Sequence, residues 1–369
     1  MDAGGERRFA GVSRAMSRPE PPRPRTLTTP DDFVAAGLIA PEAAAAAARV
    51  TARYSAAMTR RLVDLVDRAD PADPIARQFT PDPRELAISP QDRADPIGDS
   101  AHSPCEGLVH RYPDRVLLKL VSACPVYCRF CFRRETVGAA KGGMLAPEKV
   151  AAALDYVRAR PEIWEVILTG GDPLALSPRR LADAVRAIAA IGHVKVVRIH
   201  TRVPAVAPDL VTGDLVAALK APGVSTWVAL HANHPRELTQ LAREKLAMFT
   251  EAGVPLVSQT VLLRGINDDP DTLAALMRAF VEAGVKPYYL HHPDLAPGTG
   301  HFRLPIEEGR RIVAELMRRV SGLARPAYVL DIPGGYGKIL LTSEAAAPDG
   351  AGGWRLTDPA GRVHSYSDD

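Results

Sequence analysis

The sequence predicts an α/β protein, a partial (β/α)6 barrel that carries an N-terminal helical region and a short C-terminal segment. Three observations support this fold class. Six short β-branched runs, at 116–121, 164–168, 195–199, 226–230, 256–261 and 287–290, follow one another from residue 115 onward. Amphipathic helical windows at 178–190, 235–252, 270–283 and 305–320 alternate with them, the pattern of a parallel sheet with helices outside it. Six units fall short of the eight that close a full barrel, so the sheet is left laterally open. In such sheets ligands gather at the C-terminal strand ends, and a cysteine-rich loop begins directly after the first run.

The order along the chain divides it into a tail at 1–25, a helical region and connector at 26–110, the barrel at 111–325 and a C-terminal segment at 326–369. The tail is Arg/Pro-rich, lacks a hydrophobic period and is expected to be disordered. Its six arginines against three acidic residues equal the whole net charge of +3, so the remainder is about neutral, which argues against a nucleic-acid partner. Thr29-Pro30-Asp31-Asp32 has the form of an N-cap with proline at the first helical position. It opens a helical region that runs through the Ala-rich stretch Ala43 to Ala48 to about Asp67. A Pro/Asp-rich connector from Asp70 to Cys105 is too punctuated for a single element and is expected to wrap over the surface of the barrel.

With 46% hydrophobic and 24% charged residues, the 369-residue chain has an ordinary globular balance. No run approaches the roughly 18 apolar residues of a membrane span, and the N-terminus lacks the apolar core of a secretory signal. Four cysteines, three of them in one loop, make no disulfide framework and suit a reducing compartment, so a cytoplasmic location without membrane association is expected.

Cys124-Pro-Val-Tyr-Cys128-Arg-Phe-Cys131 supplies three thiolates. A structural zinc site is four-coordinate and an electron-transfer cluster is normally closed by four cysteines, so the spacing suits neither. A [4Fe–4S] cube held by three thiolates keeps one iron open. The second run ends in Thr169-Gly170-Gly171-Asp172-Pro173, where glycines let backbone approach a ligand, although alone the segment is a turn signal. Pro333-Gly-Gly-Tyr-Gly-Lys338 projects a lysine from a glycine-rich turn. It reads as a phosphate-cradling loop or as a Schiff-base lysine beside a phosphate-bearing cofactor. The first reading fails on spacing and on Ile339, where Ser or Thr is needed.

The cysteine spacing resembles the cluster loop of the radical S-adenosylmethionine (SAM) enzymes, in which SAM chelates the open iron and a Gly-Gly-acid motif holds its amino group. Further motifs make the chain similar to lysine 2,3-aminomutases from about residue 71 to residue 338. They are His110-Arg111-Tyr112-Pro113-Asp114-Arg115-Val116, the lysine turn and the segments 168–173, 261–268 and 301–305. The resemblance implies a [4Fe–4S] cluster, SAM and pyridoxal 5′-phosphate (PLP) as cofactors, and L-lysine as substrate. It also implies an electron donor of the flavodoxin or ferredoxin type, and it allows a homo-oligomer. The activity implied is that of an isomerase moving the α-amino group of lysine to the β-carbon. No side-chain base can take the unactivated β-hydrogen, so a radical from reductive cleavage of SAM is required.

Carried over by residue, the resemblance makes Cys124, Cys128 and Cys131 ligands of three irons and places Gly170, Gly171 and Asp172 at SAM. Lys338 anchors PLP, with Arg111, Tyr112 and Arg115 beside it, where a guanidinium suits a phosphate. Arg133 pairs with the substrate carboxylate. Asp294 and Asp331 bind the distal ammonium of lysine, since a buried cation needs both charge compensation and acceptors.

Family members with structural zinc carry a C-terminal cysteine cluster and a cysteine after the Arg-Gly-Ile-Asn-Asp run. Here Asp269 and Pro270 stand after that run and no cysteine follows Cys131, so no zinc is expected. Cys105 is expected to be a buried thiol. Two alternatives stand beside the free-lysine enzyme. A sister group, also short at the C-terminus, makes β-lysine for modification of elongation factor P. A non-catalytic iron–sulfur protein is opposed by the missing fourth cysteine and by Lys338. Glutamate-specific relatives need donors where Asp294 and Asp331 stand.

Overall fold

Near-continuous apolar runs need cover on both faces, and parallel strands obtain it from helices outside and side chains within. The computed structural model describes residues 26–138 and 143–368, and it meets this need with a curled nine-stranded sheet around a central cavity. The tail at 1–25 lies outside the described residues. The strands are β1 (Leu108–Tyr112), β2 (Arg115–Val121), β3 (Glu165–Gly170), β4 (Val196–Thr201) and β5 (Ser225–His231), followed by β6 (Leu256–Val261), β7 (Val285–His291), β8 (Ala327–Asp331) and β9 (Lys338–Leu340). Sequence neighbours are sheet neighbours throughout. From β2 to β8 all pairings are parallel, while β1 and β9 close the two edges as antiparallel partners of β2 and β8.

The six expected strands are β2 to β7. A seventh parallel strand, β8, and the two antiparallel edges extend the sheet beyond them. Helices Pro147–Arg158, Pro178–Ala189, Gln240–Glu251, Pro270–Glu282 and Ile306–Arg319 make the outer crossovers. Between β4 and β5 the connection is instead made of the short helices Val203–Val206 and Gly213–Ala217, the first opened by Pro204 in its first turn and followed at once by Pro208, which does not continue it.

The N-terminal region is helical only in pieces. Thr29 caps Pro30–Ala35 through a reciprocal capping box with Asp32. Gly37, at φ 66°, then turns the chain, and Ala44–Arg53 and Arg60–Val63 follow as separate helices. Phe33, Val50, Leu62 and Phe79 are fully buried, and Phe33, Leu62 and Phe79 belong to the same apolar core as the strands. The connector does more than wrap the surface. It sends Glu85 and Asp99 inward, where both carboxylates are buried. Cys105 is half-buried rather than buried.

After β9 the chain forms a separate antiparallel sheet of β10 (Ala346–Pro348), β11 (Trp354–Thr357) and β12 (Val363–Tyr366). Asp368 fastens it to the helix Ile306–Arg319, its Oδ2 accepting from Ile306 N–H and Trp354 Nε1, each at 2.9 Å. Among the described residues no helix is long and apolar enough to cross a membrane.

Candidate active site

The cysteine loop leaves the C-terminal end of β2 and is held from below by the N-terminal region. Tyr127 N–H donates to the Ala57 carbonyl at 3.0 Å and Arg129 N–H to that of Gln78 at 2.8 Å. The Arg129 side chain points away from the cavity into a buried ion pair with Glu85, through Nε at 2.9 Å and Nη2 at 2.6 Å. Arg134 donates to the same carboxylate and, at 2.9 Å, to the Arg129 carbonyl. Glu85 therefore ties both ends of the Cys128–Cys131 turn to one buried anion.

Cys124, Cys128 and Cys131 line the cavity. Burial pushes the Cys124 thiol well above its ordinary value, with Asp172 and the other two cysteines adding to it, and pushes Cys131 up to about 11. Such thiols become thiolates only beside a compensating cation, which is what iron supplies. Among the described residues no three His, Cys, Asp or Glu side chains converge as a single metal ion would need. Thiolates on three separate corners of a cube have no such requirement. Arg202 was not visible in the sequence as a site residue. Its Nη1 donates to Cys128 Sγ at 3.0 Å, while Nη2 reaches Glu237 at 2.6 Å and also Gln78.

The Gly-Gly-Asp segment locks the end of β3 against this loop. Gly171 N–H donates to the Val121 carbonyl at 2.6 Å and Asp172 N–H to that of Ala123 at 3.0 Å. A Cβ on Gly171 would lie 2.2 Å from the Ala123 carbonyl oxygen, so only glycine fits. The Asp172 carboxylate accepts from Thr201 Oγ1 and Arg202 N–H, both at 2.7 Å, and from Leu174 N–H at 3.0 Å. Its oxygens thus join β3 to β4, and Gly170, Gly171 and Asp172 all line the cavity.

Lys338 opens β9 directly across from Asp331, the last residue of β8, and its Nζ donates to Asp331 Oδ1 at 2.6 Å. Arg111 and His291 Nδ1 stand 3.7 Å from the same carboxylate. Burial opposes the Asp331 charge, but Lys338 and His291 outweigh it and hold the carboxyl far below the usual range. Asp294 goes the other way. Burial first, then the Asp331 charge, push it up to about 7. The two acids and the lysine thus share one charged pocket.

Arg133 and Arg111 meet at Asp99. Arg133 Nε and Nη2 both reach Asp99 Oδ2 at 3.1 Å, Arg111 Nη2 reaches Oδ1 at 3.1 Å, and Lys119 Nζ is 3.8 Å away. Burial opposes the Asp99 charge and these cations overcome it, holding the carboxyl below its ordinary value. Nothing in the sequence marked Asp99, which sits in a connector already rich in aspartate. Arg115 pairs with Asp114 at 2.7 Å and lies 3.9 Å over the Tyr112 ring. The imidazoles of His200 and His231 also line the lumen, and burial lowers both, His231 to about 3, so they are neutral.

One cavity of about 880 Å³ is lined by all thirteen residues singled out in the sequence: Arg111, Tyr112, Arg115, Cys124, Cys128, Cys131, Arg133, Gly170, Gly171, Asp172, Asp294, Asp331 and Lys338. Its size suits a site that takes more than one small molecule.

Comparison with known proteins agrees with this geometry. Residues 118–277, from β2 into the helix after β6, match the Radical SAM superfamily. The L-lysine 2,3-aminomutase of Clostridium subterminale is 40% identical over 282 residues, covering 76% of this chain and 67% of that protein. That of Escherichia coli (strain K12) is 37% identical over 288 residues, covering 78% and 83%. With a cluster-type cysteine loop, a lysine turn and relatives of this similarity, the chain belongs to the lysine 2,3-aminomutase family of the radical SAM superfamily.

Proposed function

We propose that the protein is an isomerase that converts L-lysine to β-lysine by 2,3-amino migration, with a [4Fe–4S] cluster, SAM and PLP as cofactors. The observation that carries this reading is the single cavity in which three cysteine thiols, a glycine-lined strand end and a lysine paired with an acid all meet. Cys124, Cys128 and Cys131 would hold the cluster, with Arg202 donating to one of the sulfurs. The Gly170–Gly171 backbone would face SAM. Bound there, cluster and SAM supply a carbon radical able to take an unactivated hydrogen, and PLP at Lys338 supplies a π-bond to the migrating nitrogen.

The chain's own residues orient the substrate. The contact of Lys338 Nζ with Asp331 at 2.6 Å supports an amine-binding role for that carboxylate. Asp331 and Asp294 would receive the distal ammonium of lysine in the same pocket. The pair of Arg133 with Asp99 likewise supports a carboxylate-binding role for Arg133. The third nitrogen of Arg133 reaches Thr169 Oγ1 at a loose 3.4 Å and is available to a substrate carboxylate. Arg111, Tyr112 and Arg115 form the cationic and hydroxyl wall suited to a phosphate. Neutral His200 and His231 line the lumen without offering an acidic proton. A low-potential donor of the flavodoxin or ferredoxin type, acting in the cytoplasm, would reduce the cluster.

The test is anaerobic incubation of reconstituted protein with L-lysine, SAM and dithionite. β-Lysine is the expected product. Uncoupled 5′-deoxyadenosine without β-lysine would point to another amino acid, and a Lys338→Ala variant that keeps the PLP absorbance would remove Lys338 from its role.

A further inference from the structure

The turn that presents Lys338 has little conformational preference of its own. Gly334, Gly335 and Gly337 have φ of 94°, 88° and 100°, and a glycine segment loses more freedom on ordering than any other. Its position must be imposed by its neighbours. From inside, Tyr112 accepts Lys338 N–H at 2.8 Å and Ile332 N–H donates to the Gly337 carbonyl at 2.8 Å. On the outer side the turn offers one large side chain, Tyr336.

The Tyr336 ring stacks on His364 of β12, with centroids 4.1 Å apart and planes 29° from parallel. His364 is held in turn by Asp358, whose Oδ2 lies 3.0 Å from its Nε2. Asp358 is buried and also accepts from Arg362 Nε at 2.8 Å and from the N–H groups of Ala360 and Arg362, each at 2.9 Å. The Arg362 guanidinium lies 5.4 Å from the Tyr336 centroid. The small sheet that carries this loop is fixed to the barrel through Asp368, and through Arg310, which donates to the Ala346 carbonyl at 3.0 Å.

We propose that the β10–β12 sheet is a clasp on the lysine turn, in which His364 is a positioning residue that acts through Tyr336 to hold Lys338 in place for its cofactor. The proposal rests on Lys338 as the PLP anchor. A ring stack of this kind changes an opening equilibrium by roughly tenfold.

Full-length His364→Ala, Tyr336→Ala and His364→Phe variants test it by two readouts. One is amide hydrogen exchange over 333–338 in protein freed of PLP, with β2 to β7 as internal control. The other is PLP retained through gel filtration. Both alanine variants are expected to exchange roughly tenfold faster in the turn alone and to lose PLP faster, while His364→Phe, which keeps a ring, stays near the parent. Unchanged exchange in the alanine variants overturns the clasp, as does a phenylalanine variant as loose as alanine. If His364→Ala also loosens β2 to β7, the exposed Tyr336→Ala decides alone. If the parent protein binds no PLP, the anchor reading fails while the exchange readout still decides the clasp.

Discussion

The backbone N–H of Lys338 donates to the hydroxyl of Tyr112 at 2.8 Å, joining the first residue of β9 to the last residue of β1. These are the two edge strands of a sheet that hydrogen bonds leave open, and the Tyr112 side chain, with the Arg111–Asp331 ion pair beside it, spans the gap. Tyr112→Phe removes the acceptor and leaves a part-buried donor without its partner, at a cost of about 1 kcal/mol. The Arg115 stack on the ring survives the change. Chemical denaturation should show a loss of that size, and PLP titration should show weaker binding. A variant equal to the parent in both would mean the two edges are held elsewhere.

Gly171→Ala should disconnect the cysteine loop from β3. Its Cβ would sit 2.2 Å from the Ala123 carbonyl, a backbone atom that cannot move without carrying Cys124 with it. Iron and sulfide bound after anaerobic reconstitution should fall well below the parent, while far-ultraviolet circular dichroism stays unchanged. Full loading would show that the loop tolerates the shift.

Glu85→Gln should destabilise the protein by about 3–5 kcal/mol, because it leaves two buried guanidinium groups, Arg129 and Arg134, without their counter-charge. Urea unfolding measures the loss. A change under about 1 kcal/mol would mean that carbonyl acceptors suffice for both arginines.

Lysine binding should weaken as the pH falls through neutrality. With Asp294 pushed up to about 7, the ligand-free carboxyl is protonated below that pH, and an ammonium can use it only after the proton leaves. Affinity should drop by about tenfold per pH unit below 7, read by calorimetry in the cofactor-loaded protein. Stability has the opposite sign for this group. A carboxyl whose folded value is raised binds its proton more tightly when folded, so it favours the fold as pH falls from about 7 toward the ordinary value near 4. Asp331, held far lower, does not titrate in this window. Asp294→Asn should flatten both profiles.

The six central strands were legible because β-branched runs buried on both faces leave little other reading. β8 was not, because Ala-Tyr-Val-Leu-Asp is short and follows a turn at Gly322–Ala324, with no helix between it and the lysine segment to mark a further unit. The Ala-rich region broke because propensity is weak beside Gly37 and Pro41, which redirect the chain. The cysteines, the paired glycines and Lys338 stood out because each lies in a short local motif, and they line one cavity. Asp99 and Arg202 did not, since their partners stand 12 or more residues away in other elements and no local pattern records such contacts. The β10–β12 sheet escaped notice for a similar reason, its strands being three or four residues long.

Asp331 and Lys338 face each other as one rung of the β8–β9 hairpin. Whatever tilts that hairpin carries both backbone positions together, so the amine and the carboxylate stay within reach of each other however the edge of the sheet moves.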